Sequence, residues 1–89
     1  MKIVVTIIGQ DRVGIVAKVA TAMADSDVNV LDINQNIMNG FFNMVMIADM
    51  GAAKITLKDL QHKLSEVGKG IGVEIKVQSQ DIFDVMHRI

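Results

Sequence analysis

The chain opens on Lys2 to Ile8 (KIVVTII), a short run rich in β-branched residues that predicts a strand. Its alternate sets, Ile3, Val5, Ile7 and Val4, Thr6, Ile8, are both largely apolar, the pattern of a central strand covered on two faces. Gly9 to Gly14 (GQDRVG) is turn chemistry. Beyond it Ile15, Val16, Val19, Ala20 and Met23 recur at helical spacing and predict a helix. Asp11 fits an N-cap, because its carboxylate can accept a free amide of the first turn. Asp25-Ser26-Asp27 ends this helix without the usual glycine.

A second strand is predicted over Val28 to Asn39. Asn39-Gly40 tolerates the positive φ angles of a type I′ hairpin, so Phe41 to Met50 should return antiparallel. In this third strand Phe42, Met44, Met46 and Ala48 share one face, and Asn43, Val45, Ile47 and Asp49 share the other. Thr56-Leu57-Lys58-Asp59 resembles a capping box, and Leu57, Leu60, Leu64 and Val67 form a helical stripe that Gly68 and Gly70 should stop. Gly72 to Ser79 alternates Val73, Ile75, Val77 with Glu74, Lys76, Gln78, which predicts a half-buried edge strand. Asp81 fits the cap of a last short helix with Ile82, Phe83, Met86 and Ile89 on one side.

This order predicts an α+β, ferredoxin-like βαββαβ fold: a four-stranded antiparallel sheet, two helices on one face, and a short C-terminal helix. With strand order 4-1-3-2, the open face carries Val4, Ile8, Val45 and Ile47 in its middle. Asp32, Asn34, Asn36, Glu74 and Lys76 flank them. An apolar stripe with a polar rim points to an interaction surface, so a homodimer through this face or a sheet edge is expected. At 89 residues the chain has room for one domain, taken as 1–89 with a core over 1–80 and a tail helix over 81–89.

Composition adds exclusions. Hydrophobic residues make up 51% of the chain against 21% charged, which excludes a disordered polar chain. The formal net charge of −1 gives no electrostatic footprint for nucleic acid or an anionic membrane. With no cysteine, disulfides, thiol chemistry and Cys-based metal sites are out. Met1 to Ile8 is too short for a membrane span, so a cytoplasmic protein is expected. His62 and His87 lack companions at metal-ligand spacing, and the methionines at 38, 44, 46 and 50 read as core or interface filler. Ser26, Ser65 and Ser79 lie in no nucleophile motif, and the glycine loop lacks the G-K-[ST] ending of a P-loop. Neither enzymatic activity nor a cofactor is expected.

Three stretches resemble the ACT family: G-x-D-R-x-G-I-V at Gly9 to Val16, V-N-V at Val28 to Val30, and F-F-N-M at Phe41 to Met44. The chain is similar to the ACT modules of formyltetrahydrofolate deformylase and the glycine-cleavage repressor. It is similar over its whole length, including the closing I-F-D-V-M-H-R-I, to small single-ACT proteins. The resemblance implies a regulatory domain that binds an amino acid or related metabolite at a dimer interface and controls a partner protein. The ligand loop it implies is Gly9, Gln10, Asp11, Arg12, Val13 and Gly14, and Asn29 matches an asparagine that holds the ligand in amino-acid-binding members. Val13 stands where many of those members have proline. No fused enzyme or DNA-binding domain is expected, so the output is expected to act in trans.

Physical chemistry supports the same loop independently. A glycine-bounded turn opening a helix leaves backbone amides unpaired at the positive end of the helix dipole, which suits a carboxylate. Asp11 and Asn29 could then take an ammonium group, and Gly14 would let a ligand approach closely. The bland alternatives stay open: a tight turn capped by Asp11 with Arg12 in solvent, a strand-start Asn29 bonded to its own backbone, and Asn34, Gln35 and Asn36 as the polar residues any exposed edge needs. A structural assembly module without ligand fits the same features. An RNA-binding module shares the topology, but its first strand would need exposed aromatics to stack bases, and here it has none.

Overall fold

The computed structural model describes residues 1–86. The elements run β1 (Lys2–Gln10), α1 (Ile15–Asp25), β2 (Asn29–Met38), β3 (Phe41–Asp49), α2 (Leu57–Ile71), β4 (Val73–Ser79) and α3 (Gln80–Met86). The strands form one antiparallel sheet in the order β2-β3-β1-β4, so β1 is central, as its two-sided apolar character predicts, with β3 beside it. This is the ferredoxin-like arrangement.

Between the sheet and the two long helices, Ile3, Val5 and Ile7 of β1 meet Phe42, Met44 and Met46 of β3 and Val73, Ile75 and Val77 of β4. From the helix layer Ile15, Val19 and Met23 of α1 and Leu60 and Leu64 of α2 close the same cluster. α1 is rotated slightly from its expected stripe. Ala22 is buried while Val16 and Ala20 face outward, because the i, i+4, i+8 row from Ile15 fills the space above the sheet.

Three helix boundaries differ from expectation. α1 begins after Gly14, which holds φ 90°, and no side chain caps it; Asp11 is not its N-cap. α2 does carry the predicted reciprocal box, with Asp59 N–H donating to Thr56 Oγ1 and Thr56 N–H to the Asp59 carboxylate. It then runs through Gly68 and Gly70 to Ile71, and Gly72, at φ 76°, ends it. Gly68 serves close approach instead: a Cβ there would lie 2.6 Å from the Val73 carbonyl oxygen. In α3 the Ser79 hydroxyl, not Asp81, accepts from the first turn, through Ile82 N–H at 3.3 Å.

The glycine-free end of α1 is a Schellman turn in which Asp27 takes the left-handed position at φ 55°. Val28 N–H donates to Met23 O and Asp27 N–H to Ala24 O. Buried Ser26 donates to Ala22 O and accepts from Lys63 Nζ at 2.8 Å, tying α1 to α2. The Asn39-Gly40 turn has positive φ at both residues, as a type I′ hairpin requires.

α3 folds onto β1 and β4. Val4 points to the face opposite the helix-side core yet is fully buried, which the α3 cover explains. The rest of the open face stays uncovered, with Ile8 46% exposed. Of the expected tail stripe, Phe83 is half-buried and Ile82 is exposed, while Ile89 lies, with His87, outside the described residues. β2 is accessible along nearly its whole length. A bulge between Val30 and Asp32 sets Leu31 out of register, and Leu31, Ile33 and Ile37 are about half exposed in the single chain.

Candidate functional site

The predicted loop stands at the end of the sheet where β1 leaves for α1. Gly9 pairs with Val73, and a Cβ on it would come within 2.8 Å of that side chain, so β1 and β4 require glycine there. Gln10 pairs with Phe41. Asp11 continues this ladder by one bond, its N–H donating to Gly40 O at 2.8 Å. The loop is thus anchored to the tip of the β2–β3 hairpin, a link that follows from register once Gln10 is set against Phe41.

Arg12, Val13 and Gly14 then arch away. The Arg12 guanidinium lies beside Gly72, where an added Cβ would meet its Cζ at 3.4 Å, so Arg12 spans from the loop to the end of α2. Val13 is fully exposed at the tip. The first bond of α1 is Lys18 N–H to Gly14 O, and no side chain satisfies the N–H groups of the first turn. These amides lie at the positive end of the helix dipole, a local preference for an anion. The Asp11 carboxylate, freed from capping, makes no hydrogen bond or ion pair within the described residues.

Asn29 is elsewhere. It pairs with Asp49 at one end of β3, whereas the loop joins Phe41 and Gly40 at the other. The separation is the length of a 9-residue strand, about 27 Å at 3.4 Å per residue. Within one chain, therefore, Gly9, Gln10, Asp11, Arg12, Val13 and Gly14 come together and Asn29 does not join them.

Two surface cavities are lined by other residues. One, of about 500 Å³, lies between α1 and α2 over Ala17, Thr21, Ala22, Val67 and Gly70. Its rim carries Lys18, Asp25, Lys63 and Glu66, equal numbers of each sign. The other, of about 480 Å³, lies on the open sheet face beside the hairpin. Among the described residues, no group of three or more His, Cys, Asp or Glu could hold a metal ion, and no helix is long and apolar enough to cross a membrane.

Two features of this end of the sheet differ from or add to the expectation from sequence. Gly14 as the start of α1 had a signal in the second glycine of the loop, which frees Asp11 from capping. The side-by-side asparagines of β2 and β3 had one too, since the Asn-Gly turn sets Asn36 against Asn43.

Residues 1–78 match the model of the ACT domain. A UPF0237 protein of Methanosarcina acetivorans is 48% identical over 88 residues, covering 99% of this chain and 96% of that one. An ACT domain protein from Streptococcus pneumoniae superposes with a TM-score of 0.82 at 31% identity, covering 94% of each chain. A formyltetrahydrofolate deformylase from Pseudomonas syringae pv. tomato shares the fold, with a TM-score of 0.80 at 21% identity, over 88% of this chain and 27% of its own. A chain with the βαββαβ order, the Gly9–Gly14 loop opening its first helix, and these relatives along its length belongs to the ACT domain family, among its single-domain UPF0237 members.

Proposed function

We propose that this protein is a homodimeric sensor of a small metabolite, an α-amino acid by the chemistry of its loop, that signals to a partner protein instead of catalysing a reaction. ACT domains are typically ligand-binding regulatory domains, which supports the regulatory half of the reading. The observation that carries the ligand half is the uncapped start of α1 beside an unengaged Asp11 carboxylate. Two kinds of group in one loop, free backbone N–H donors and a carboxylate, match the carboxylate and ammonium ends of an amino acid.

Dimerisation supplies what one chain lacks. β2 is an edge strand of 10 residues with a free hydrogen-bonding side and half-exposed Leu31, Ile33 and Ile37. Antiparallel pairing of two such edges about their midpoints sets Asn29 of the partner subunit opposite Met38. That position is next to the hairpin tip whose Gly40 carbonyl binds Asp11. Each loop would then border an asparagine from the other chain, giving two equivalent sites per dimer.

The test is thermal unfolding of the purified protein across a panel of amino acids, nucleotides and folates, with light scattering for mass. A ligand at about 100 times its Kd adds about 2.7 kcal/mol and raises the melting point by several degrees. Selective stabilisation by one amino acid, abolished in Asp11→Ala, supports the sensor. A dimer that no compound stabilises, and that Asp11→Ala leaves unchanged, is instead an assembly module. The exposed β2 edge supports pairing of two copies in either reading, so the response to ligand is what separates them.

A further inference from the structure

The open sheet face carries a second, chemically different cleft, and we propose that it binds a purine-type heteroaromatic ring. It lies beyond the part of the face that α3 covers, between the end of β1 and the β2–β3 hairpin, with Ile8, Asn36, Met38, Phe41 and Asn43 among its lining residues. Its volume, about 480 Å³, is within the range of small-molecule sites.

Strand register sets the arrangement. Ile8, Asn43 and Asn36 form one row across β1, β3 and β2, and Gln10, Phe41 and Met38 form the next. All six face away from the helices, since Phe42 and Met44, their neighbours along β3, are in the core. Phe41 is 58% exposed, an unusual position for one of only three aromatic residues in the chain. It offers a ring face for stacking, with Met38 and Ile8 as apolar flanks.

Asn36 and Asn43 are direct cross-strand partners, so their side chains start about 5 Å apart. Neither amide has a hydrogen-bond partner among the described residues. Side by side they present both donors and acceptors, the set that reads the mixed edge of an adenine or guanine. The charges of the cleft select the same ligand. No lining residue is ionised, and Glu74, the cross-strand partner of Ile8, sets a negative charge at the border of the cleft. A phosphate chain finds no cation there, so the ligand is the uncharged base or nucleoside and not a polynucleotide. A sugar would stack as well, but the carboxylates that commonly grip paired hydroxyls are absent from this lining.

The inference does not depend on the amino-acid site: it uses none of the Gly9, Asp11 or Asn29 groups and needs no second copy. The experiment is an NMR titration of the full chain with adenosine, guanosine, benzyl alcohol and methyl glucoside, following the side-chain NH2 signals of Asn36 and Asn43. A purine nucleoside should shift both signals saturably and bind at least tenfold tighter than benzyl alcohol, which has a ring but no edge. Asn43→Ala and Phe41→Leu should each weaken binding by about tenfold, as expected from losing an edge contact or a base–aromatic stack. Phe41→Leu keeps the apolar bulk, and both positions are exposed, so circular dichroism should stay unchanged. Absence of saturable shifts, equal binding of benzyl alcohol, preference for the glucoside, or shifts unaffected by both variants would each overturn the proposal.

Discussion

Gly68 and Gly70 lie two residues apart in the same helix, and the structure gives them opposite sensitivities to the same change. Alanine in a helix is favoured over glycine by up to about 1 kcal/mol, so propensity alone predicts that both Gly→Ala variants are stabilised. At Gly70 a Cβ meets nothing within 4 Å. Because Gly70 is in the final turn of α2, the gain should be about half the full value, roughly 0.5 kcal/mol. At Gly68 the added carbon would lie 2.6 Å from the Val73 carbonyl oxygen, against an ordinary contact of 3.4 Å, an overlap of about 0.8 Å. The obstacle is backbone of β4 and cannot rotate away, so α2 must lift or β4 must shift. Overpacking of this kind costs about 1–3 kcal/mol, and a rigid obstacle belongs in the upper half of that range. Offset by the propensity gain, Gly68→Ala should lose about 1–2 kcal/mol. At about 2.1 cal/mol/K per residue, unfolding an 89-residue chain makes 1 kcal/mol worth about 5 °C. Thermal melts by circular dichroism, at one fixed protein concentration, should therefore put Gly68→Ala about 5–10 °C below wild type and Gly70→Ala about 2–3 °C above it. Equal rises in both variants would refute the claim that close approach of α2 to β4 is why Gly68 is glycine.

Thr56→Ala removes the side-chain half of the capping box and should cost about 1 kcal/mol; adding Asp59→Ala should cost less than the sum of the two single changes in urea melts, because the two bonds belong to one motif. Asp27→Gly should be neutral to stabilising by up to about 1 kcal/mol, since the residue sits at φ 55° and its ion pair with Lys54 is on the surface; a clear loss in the same melts would mean that the side chain contributes more than the backbone conformation costs. Ile33→Asp should leave the secondary structure intact but halve the mass seen by light scattering, because Ile33 is 48% exposed in the single chain and would meet its partner across paired β2 edges. A dimer that survives Ile33→Asp places the interface elsewhere.

The alternation of β3, the Asn39-Gly40 hairpin, the Thr56–Asp59 box and the two-sided apolar β1 were all legible in the sequence, because each depends on residues close together in the chain. So was a turn between β1 and α1, since its glycines and its place before a helix are local facts, but Gly9 and Gln10 extend β1 and the loop itself is Asp11 to Gly14. What tertiary structure decided are matters of approach and register between distant segments. Asp11 could have capped α1, but pairing of Gln10 with Phe41 carries the strand ladder one bond further, to Gly40, and leaves the cap to Gly14. Gly68 and Gly70 look alike as helix stops, yet α2 continues through both, because burial of Gly68 against β4 rewards the helix more than glycine's intrinsic cost opposes it. Val4 belongs to the open face by alternation and is buried only because α3 returns across the sheet. The sequence lists Asn29 and the loop 15 positions apart, but the sheet carries them to opposite ends of β3, since β2 runs antiparallel to β3 and meets the loop only at the hairpin. Local chemistry is written in neighbouring residues; which of those groups meet is determined by the pairing of strands.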